Sequence, residues 1–65
     1  MRIELNGRGI DTAARTVAEL LLEQQIDPAT VATALNGEFV PRARYASQRL
    51  EAGNQLEVLS PMQGG

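Results

Sequence analysis

The last two residues of the sequence, Gly64 and Gly65, are the feature with the clearest chemical potential. They follow Ser60-Pro61-Met62-Gln63, which comes directly after a strand-like apolar run. We expect a packed domain over residues 1–61 and a short flexible tail over residues 62–65. Such a tail presents one reactive group, the α-carboxylate of Gly65. Because glycine lacks a Cβ, the same tail can thread a narrow channel in a partner.

The composition leaves this carboxylate with few chemical rivals. The 65 residues include no cysteine and no histidine, which excludes a cysteine nucleophile, a persulfide-carrying thiol, the usual histidine base and Cys/His metal sites. All six basic residues are arginine, so copies of the chain cannot be joined to one another through a lysine ε-amine. A domain of this length buries only about 60% of the surface that its unfolded chain exposes, so a deep catalytic cleft is not expected.

Charge and hydropathy indicate which partners the chain meets. The net charge is -2, and one Phe and one Tyr are the only aromatic residues, a balance that argues against nucleic-acid binding. Residues 1–6 alternate instead of forming the apolar stretch of a signal peptide, and no segment approaches the roughly 18 apolar residues of a membrane span. We therefore expect a cytoplasmic protein whose partners are other proteins.

An N-terminal hairpin is predicted from residues 2–6, which alternate polar and apolar side chains with the period of a half-buried strand. Asn6-Gly7 supplies a tight turn, and residues 9–12 return as the second strand. A second hairpin is predicted further along the chain, where Asn36-Gly37 separates two short apolar runs. Its strands are residues 31–35 and residues 38–40, and Pro41 ends the pairing because proline has no N–H to donate.

A helix is predicted between the hairpins, beginning at Thr16. Thr16-Val17-Ala18-Glu19 has the capping-box pattern, in which the Thr16 hydroxyl accepts from the Glu19 N–H and the Glu19 carboxylate reaches back to the Thr16 N–H. Asp27-Pro28 is expected to end the helix, because the residue before proline disfavours the α region. The residues with helical spacing that are expected to form its buried face are Val17, Leu20, Leu21 and Gln24.

The C-terminal part is predicted to be an irregular polar segment, a turn at residues 51–54 and a last strand at residues 56–59. Leu56 and Val58 should face the core, and Leu59 should face the opposite side. This order of elements fits an α+β fold, in which a mixed sheet of four to five strands packs on one main α-helix. The N- and C-terminal strands then lie side by side at the centre, which is the ubiquitin-like β-grasp arrangement.

These residues resemble those of a known family, the sulfur carrier proteins of thiamine biosynthesis (the ThiS family). The matching features span the chain: Leu35-Asn36-Gly37, Val40-Pro41-Arg42, the turn Leu50-Glu51-Ala52-Gly53 and the terminal Gly64-Gly65. Two features depart from the family pattern. Asn54 stands where an acidic residue is usual in the family. A proline shortly before the terminal glycines, here Pro61, is a feature of the molybdopterin-synthase small subunit.

The resemblance implies a specific chemistry at Gly65. A partner enzyme, an E1-like adenylyltransferase of the ThiF type, converts its carboxylate to an acyl-adenylate with ATP and Mg²⁺. Sulfur from a donor such as a cysteine desulfurase system then gives the thiocarboxylate (1-thioglycine) that a thiazole synthase of the ThiG type uses. The chain is implied to be a co-substrate that binds no cofactor itself and is not an enzyme. Gly64 and Gly65 would thread the partner's active site, and the residues expected to contact the partner are Phe39, Arg42, Leu59 and Met62.

Three other functions remain open from the residues alone. The chain could carry sulfur for molybdopterin or another metabolite, since carriers of that kind share the diglycine. It could be a ubiquitin-like modifier whose terminus is joined to lysines of other proteins. It could also be a passive β-grasp interaction domain in which the tail has no chemistry.

Overall fold

The computed structural model describes residues 1–60, and the predicted tail of residues 62–65 therefore lies outside the described residues, as does Pro61. Along the chain the elements are β1 (Arg2–Leu5), β2 (Arg8–Asp11), α1 (Val17–Glu23), a 3₁₀ turn (Pro28–Thr30), β3 (Ala32–Leu35), β4 (Glu38–Val40), a second 3₁₀ turn (Arg42–Arg44) and β5 (Gln55–Leu59). This order confirms the predicted alternation of hairpin, helix, hairpin and final strand. The 3₁₀ turn that precedes β3 was not predicted from the sequence.

The sheet has five strands in the order β2-β1-β5-β3-β4. β1 and β2 pair antiparallel, as do β3 and β4, so both predicted hairpins are present. β5 lies between them, parallel to β1 and antiparallel to β3. The N- and C-terminal strands are therefore neighbours at the centre of a mixed sheet, which confirms the β-grasp arrangement.

Both hairpins turn through an Asn-Gly pair in the left-handed region. The φ angles are 51° and 82° at Asn6 and Gly7, and 52° and 86° at Asn36 and Gly37. Positive φ at both central residues is the signature of a type I′ turn, whose twist matches that of the flanking strands. Asparagine and glycine tolerate this conformation best, which is why these pairs predict the hairpins correctly.

The core lies between α1 and one face of the sheet. Val17, Leu20 and Leu21 of the helix are fully buried, as their helical spacing predicts. Alternate residues of the central strands meet them, because side chains one position apart point to opposite faces of a sheet. The remaining buried apolar residues are Ile3, Ala14, Val40, Tyr45, Leu50 and Leu56.

The start of α1 follows the capping-box prediction in one of its two bonds. The Thr16 hydroxyl accepts a hydrogen bond from the Glu19 N–H at 3.1 Å. The Glu19 carboxylate does not reach the Thr16 N–H as predicted, but accepts from the Arg15 N–H at 2.7 Å. The irregular segment after β4 satisfies further N–H groups of the first turn: the Val17 N–H donates to the Gln48 carbonyl and the Ala18 N–H to that of Tyr45.

The end of α1 corrects the sequence prediction. The helix ends at Glu23, four residues before Asp27-Pro28, and Gln24 is an exposed C-cap and not part of the buried face. Gln25 has φ of 60°, and two backbone bonds reverse the chain there, from Gln25 N–H to the Leu22 carbonyl and from Ile26 N–H to that of Leu21. This is a Schellman motif with glutamine where glycine is usual. Ile26 then packs against the core, and this contact ends the helix earlier than the proline would.

Candidate functional site

Three strands have an end on the side of the sheet where the chain leaves β5. β5 ends there at Leu59, β3 begins there at Ala32, and β4 ends there at Val40, because Ala32 pairs with Leu59 and Thr33 pairs with Val40. We call this end of the sheet the exit end. Ser60 is the last described residue, so the predicted reactive residues Gly64 and Gly65 and the predicted contact residue Met62 lie outside the described part. The exit end is the described structure closest to them along the chain.

An apolar patch lies at the exit end, on the face of the sheet that α1 does not cover. Leu59 is 64% exposed and Phe39 is 67% exposed, while Leu56 and Val58 point to the helix side and are buried and half-buried. The register places Ala32 beside Leu59 and Ala34 beside Phe39 on the same face. The predicted outward orientation of Leu59 is thereby confirmed. We define the apolar patch as Ala32, Ala34, Phe39 and Leu59.

The rest of this open face is charged and mainly acidic. Arg2 pairs with Asp11 in the register of β1 and β2, and Glu4 lies on the same face because it is two residues from Arg2. Glu57 of β5 adjoins the apolar patch beside Ala34. Arg2 and Asp11 approach to 3.9 Å, but both side chains are at least 70% exposed, so this ion pair contributes little to stability. The open face therefore offers an apolar half next to Ser60 and an acidic half further away.

Arg42, the remaining predicted contact residue, is exposed but makes a structural contact. It follows β4 at the exit end, and its Nη2 donates to the Ala29 carbonyl at 3.2 Å. The Tyr45 hydroxyl donates to the nearby Val31 carbonyl at 3.2 Å. Together the two side chains hold the 3₁₀ turn before β3 against the end of β4. A role of Arg42 in steering a partner stays a prediction.

Two asparagines that the sequence indicates only as turn residues also bind β5. Asn6 Oδ1 accepts from the Val58 N–H at 2.8 Å, and Asn6 Nδ2 donates to the Val58 carbonyl at 3.3 Å. Asn36 Oδ1 accepts from the Gln55 N–H at 2.8 Å, at the other end of the same strand. The turn signal is local, whereas these partners are 52 and 19 residues away. Only the β1-β5-β3 order brings them together, so sequence reasoning missed both contacts.

Metal-ligand clusters and membrane-spanning helices are both absent from the described part. Within residues 1–60, no group of three or more Asp, Glu, His or Cys side chains is placed to hold a metal ion. No helix in that range is long and apolar enough to cross a membrane. What the exit end provides is an exposed apolar surface beside the strand from which the chain continues toward Gly65.

Comparisons with known proteins agree with this architecture. The ThiS family model matches residues 2–65. The crystal structure of a thiamine biosynthesis protein (ThiS) from Geobacter metallireducens is 28% identical, covers 100% of both chains and superposes with a TM-score of 0.86. A solution NMR structure of a thiamine biosynthesis protein from the same organism is 32% identical with a TM-score of 0.80, covering 100% of this chain and 88% of the other.

A curated relative extends the comparison to a larger protein. A thiazole synthase from Paramagnetospirillum magneticum is 35% identical over 66 residues, an alignment that covers 100% of this chain. The chain spans only 20% of the length of that relative. One part of that larger protein is therefore similar to the whole of this chain.

Proposed function

Because the chain belongs to the ThiS family, we propose that it is a sulfur carrier of thiamine biosynthesis that acts through the carboxylate of Gly65. A carboxylate is a poor acyl donor because its oxygen is a poor leaving group. In the proposed cycle, an adenylating enzyme of the ThiF type joins the Gly65 carboxylate to AMP from ATP and releases pyrophosphate. A persulfide from a donor such as a cysteine desulfurase system then displaces AMP to form an acyl disulfide. A second thiol of the sulfur-donor system attacks its S–S bond, which leaves the thiocarboxylate on Gly65 and a disulfide on the donor. A thiazole synthase of the ThiG type takes this sulfur.

The chain is the co-substrate in this scheme, and the partner supplies the catalysis. Stabilising the charge that develops during adenylation requires preorganised donors or metal ions around the reacting phosphate. We assign ATP and Mg²⁺ to the partner and no cofactor to the chain itself. The 65 residues include no lysine, cysteine or histidine. This composition fits a carrier, because the chain has no such side chain that could attack the activated Gly65 in place of the sulfur donor.

The observation that carries the proposal is the match of the ThiS family over residues 2–65, which includes the terminal glycines. The thiazole synthase relative favours the thiamine pathway over molybdopterin, because a segment similar to this entire chain occurs within a protein of that name. A carrier for molybdopterin or another metabolite is the second candidate, and Pro61 before the glycines is the residue that favours it.

The apolar patch is the surface that we assign to the adenylating partner. Threading the predicted tail, residues 62–65, into an active site costs about 1–2 kcal/mol per residue in backbone entropy. Contacts with the folded domain must offset that cost, and Leu59 and Phe39 are large apolar side chains that are already exposed beside the exit end. Their burial against a partner releases water without requiring any rearrangement of the sheet.

Loading by purified partners tests the proposal. The protein is incubated with the adenylating enzyme, Mg-ATP and a sulfur donor, and its intact mass is measured. We expect a gain equal to the replacement of one oxygen by one sulfur. A variant that lacks Gly65 and a variant with one alanine appended after it should show no gain, because the acyl carbon is lost or misplaced.

The same experiment separates the alternatives. Larger adducts joined to lysines of other proteins, with no sulfur gain, would favour a ubiquitin-like modifier. An unchanged mass in every reaction would favour a passive interaction domain. Loaded protein that supports molybdopterin formation but no thiazole formation would move the proposal to the second pathway. Sulfur loading of the variant that lacks Gly65 would contradict the assigned role of that residue.

A further inference from the structure

We infer that Asn6 is a positioning residue for the loading reaction, because its side chain holds the last residues of β5 and so sets how the chain leaves the sheet. This inference rests on the proposed function. It concerns a residue in the turn that follows the N-terminal strand β1, 59 positions before Gly65 in the sequence. The contacts of Asn6 with β5 carry the argument.

The pairing of β1 with β5 stops before β5 does. The register of the two strands ends with Leu5 opposite Leu56, and the Asn6 N–H then donates to the Leu56 carbonyl at 2.9 Å. Beyond this point the backbone of β1 turns away through Asn6-Gly7. The Asn6 side chain takes over: Oδ1 accepts from the Val58 N–H at 2.8 Å and Nδ2 donates to the Val58 carbonyl at 3.3 Å. The amide side chain thus continues the ladder from Leu56 to Val58, two residues further along β5.

Asparagine meets both requirements of this position. Its φ of 51° lies in the left-handed region, where asparagine and glycine are favoured. Its side-chain amide carries a carbonyl acceptor and an NH₂ group that donates, so it can bond both the N–H and the carbonyl of a strand residue. Glycine would keep the turn and lose both bonds, and aspartate would keep the acceptor for Val58 and lose the donor.

The bonds of Asn6 act close to where the chain leaves the domain. Val58 is two residues before Ser60, the last described residue. On the β3 side, the end of β5 is held by the register of Leu59 with Ala32. On the β1 side, Asn6 is the residue that holds it in the described structure. Without this side chain the end of β5 is held from one side, and the residues leading to Gly65 begin from a less defined position.

The size of the effect follows from the entropy of one freed residue. If the partner must order one additional backbone residue, kcat/KM for loading falls by about five- to thirtyfold. The loss should lie in the KM for the carrier, because at a saturating carrier concentration every molecule of the adenylating enzyme holds a bound carrier in which these residues are already ordered. The rate constant kcat should stay within about twofold of the wild type, since the reacting atoms at Gly65 are unchanged.

Asn36 provides a matched control within the same chain. It has the same Asn-Gly turn, nearly the same φ of 52°, and the same acceptor bond of 2.8 Å to a β5 amide. That amide belongs to Gln55, the first residue of β5, at the end of the strand far from Ser60. Asn36→Gly therefore removes a similar bond from the same strand without touching its exit.

The test compares Asn6→Gly, Asn6→Asp and Asn36→Gly in loading kinetics and in amide hydrogen exchange of β5. We expect Asn6→Gly to raise KM and to accelerate exchange at Val58, Asn6→Asp to remain nearer the wild type in both, and Asn36→Gly to keep the wild-type KM. Equal KM values for Asn6→Gly and Asn36→Gly, with wild-type protein loaded normally, would overturn the positioning role alone. A wild-type protein that is never loaded would overturn the proposed function, and the positioning role with it.

Discussion

Comparing substitutions of two exposed leucines, one inside the apolar patch and one outside it, tests whether the patch binds the adenylating partner. Leu59 and Leu22 are both highly exposed, at 64% and 79%. Leu59 lies on the open face at the exit end, whereas Leu22 lies on the outer surface of α1, on the other side of the sheet. Leu59→Ser should weaken partner binding, and Leu22→Ser, an equal loss of apolar surface, should leave it unchanged.

The magnitude follows from the exposed surface. Burial of a fully exposed leucine or phenylalanine side chain contributes about 1.5–3 kcal/mol. About two thirds of Leu59 and of Phe39 is exposed in the free protein, so burying this exposed part in a complex contributes about 1–2 kcal/mol for each. Leu59→Ser and Phe39→Ser should therefore each raise the Kd by about 5- to 30-fold. Because both side chains lie outside the core, the free energy of unfolding should change by less than about 0.5 kcal/mol.

The Kd of each variant for the adenylating enzyme is measured by isothermal titration calorimetry. The stability of each free protein is measured by thermal unfolding. Equal affinities of Leu59→Ser and Leu22→Ser for the enzyme would refute the assignment of the patch. A large loss of stability in Leu59→Ser would also refute the reasoning, because it would show that the side chain is part of the core.

The remaining predictions concern the packing that holds the exit end in place. Gln25→Gly should stabilise the protein by about 0.5–1 kcal/mol and raise Tm by about 2–8 °C, because glycine relieves the left-handed backbone at φ of 60°. Gln24→Gly, at φ of -86°, should lower Tm instead, and a rise in both variants would contradict the Schellman assignment. Leu20→Ala removes a fully buried side chain and should cost about 2–5 kcal/mol in urea unfolding. A cost below about 1 kcal/mol would show that Leu20 is not a core residue.

The sequence predicts the strands, the turns and the start of the helix because their causes are local. Alternation at residues 2–6 and the pair Asn6-Gly7 specify a hairpin almost by themselves, and the structure confirms it. The capping hydroxyl of Thr16 is likewise a short-range signal, and its bond to the Glu19 N–H is present. The β-grasp order follows once two hairpins, one helix and a final apolar strand must share one core.

The sequence predictions that differ from the structure concern the two ends of α1. α1 ends at Glu23 because Ile26 packs into the core through the Schellman motif, an outcome that overrides the expected stop at Asp27-Pro28. Gln24 has the correct helical spacing for burial, but the helix has already ended there. The Glu19 carboxylate bonds the Arg15 N–H in place of the predicted Thr16 N–H. The first two differences follow from a tertiary contact of Ile26 that the local pattern does not reveal. The bond between Glu19 and Arg15 spans only four residues and is a local alternative to the predicted capping box.

The structural surroundings of the candidate site were only partly predictable, and its chemistry stays a prediction. The diglycine and the outward orientation of Leu59 follow from sequence order and strand alternation. The contact of Arg42 with the Ala29 carbonyl and the hold of Asn6 on Val58 depend on which strands are neighbours.

The measurement that tests the central claim most directly is the location of the added sulfur. The loaded protein is fragmented in a mass spectrometer, and the mass increase is assigned to a residue. The proposed function predicts that the increase lies entirely on the fragment that ends in Gly65, and that it disappears when the thiazole synthase receives the sulfur. A mass increase on any other residue, or one that persists through thiazole formation, would contradict the account.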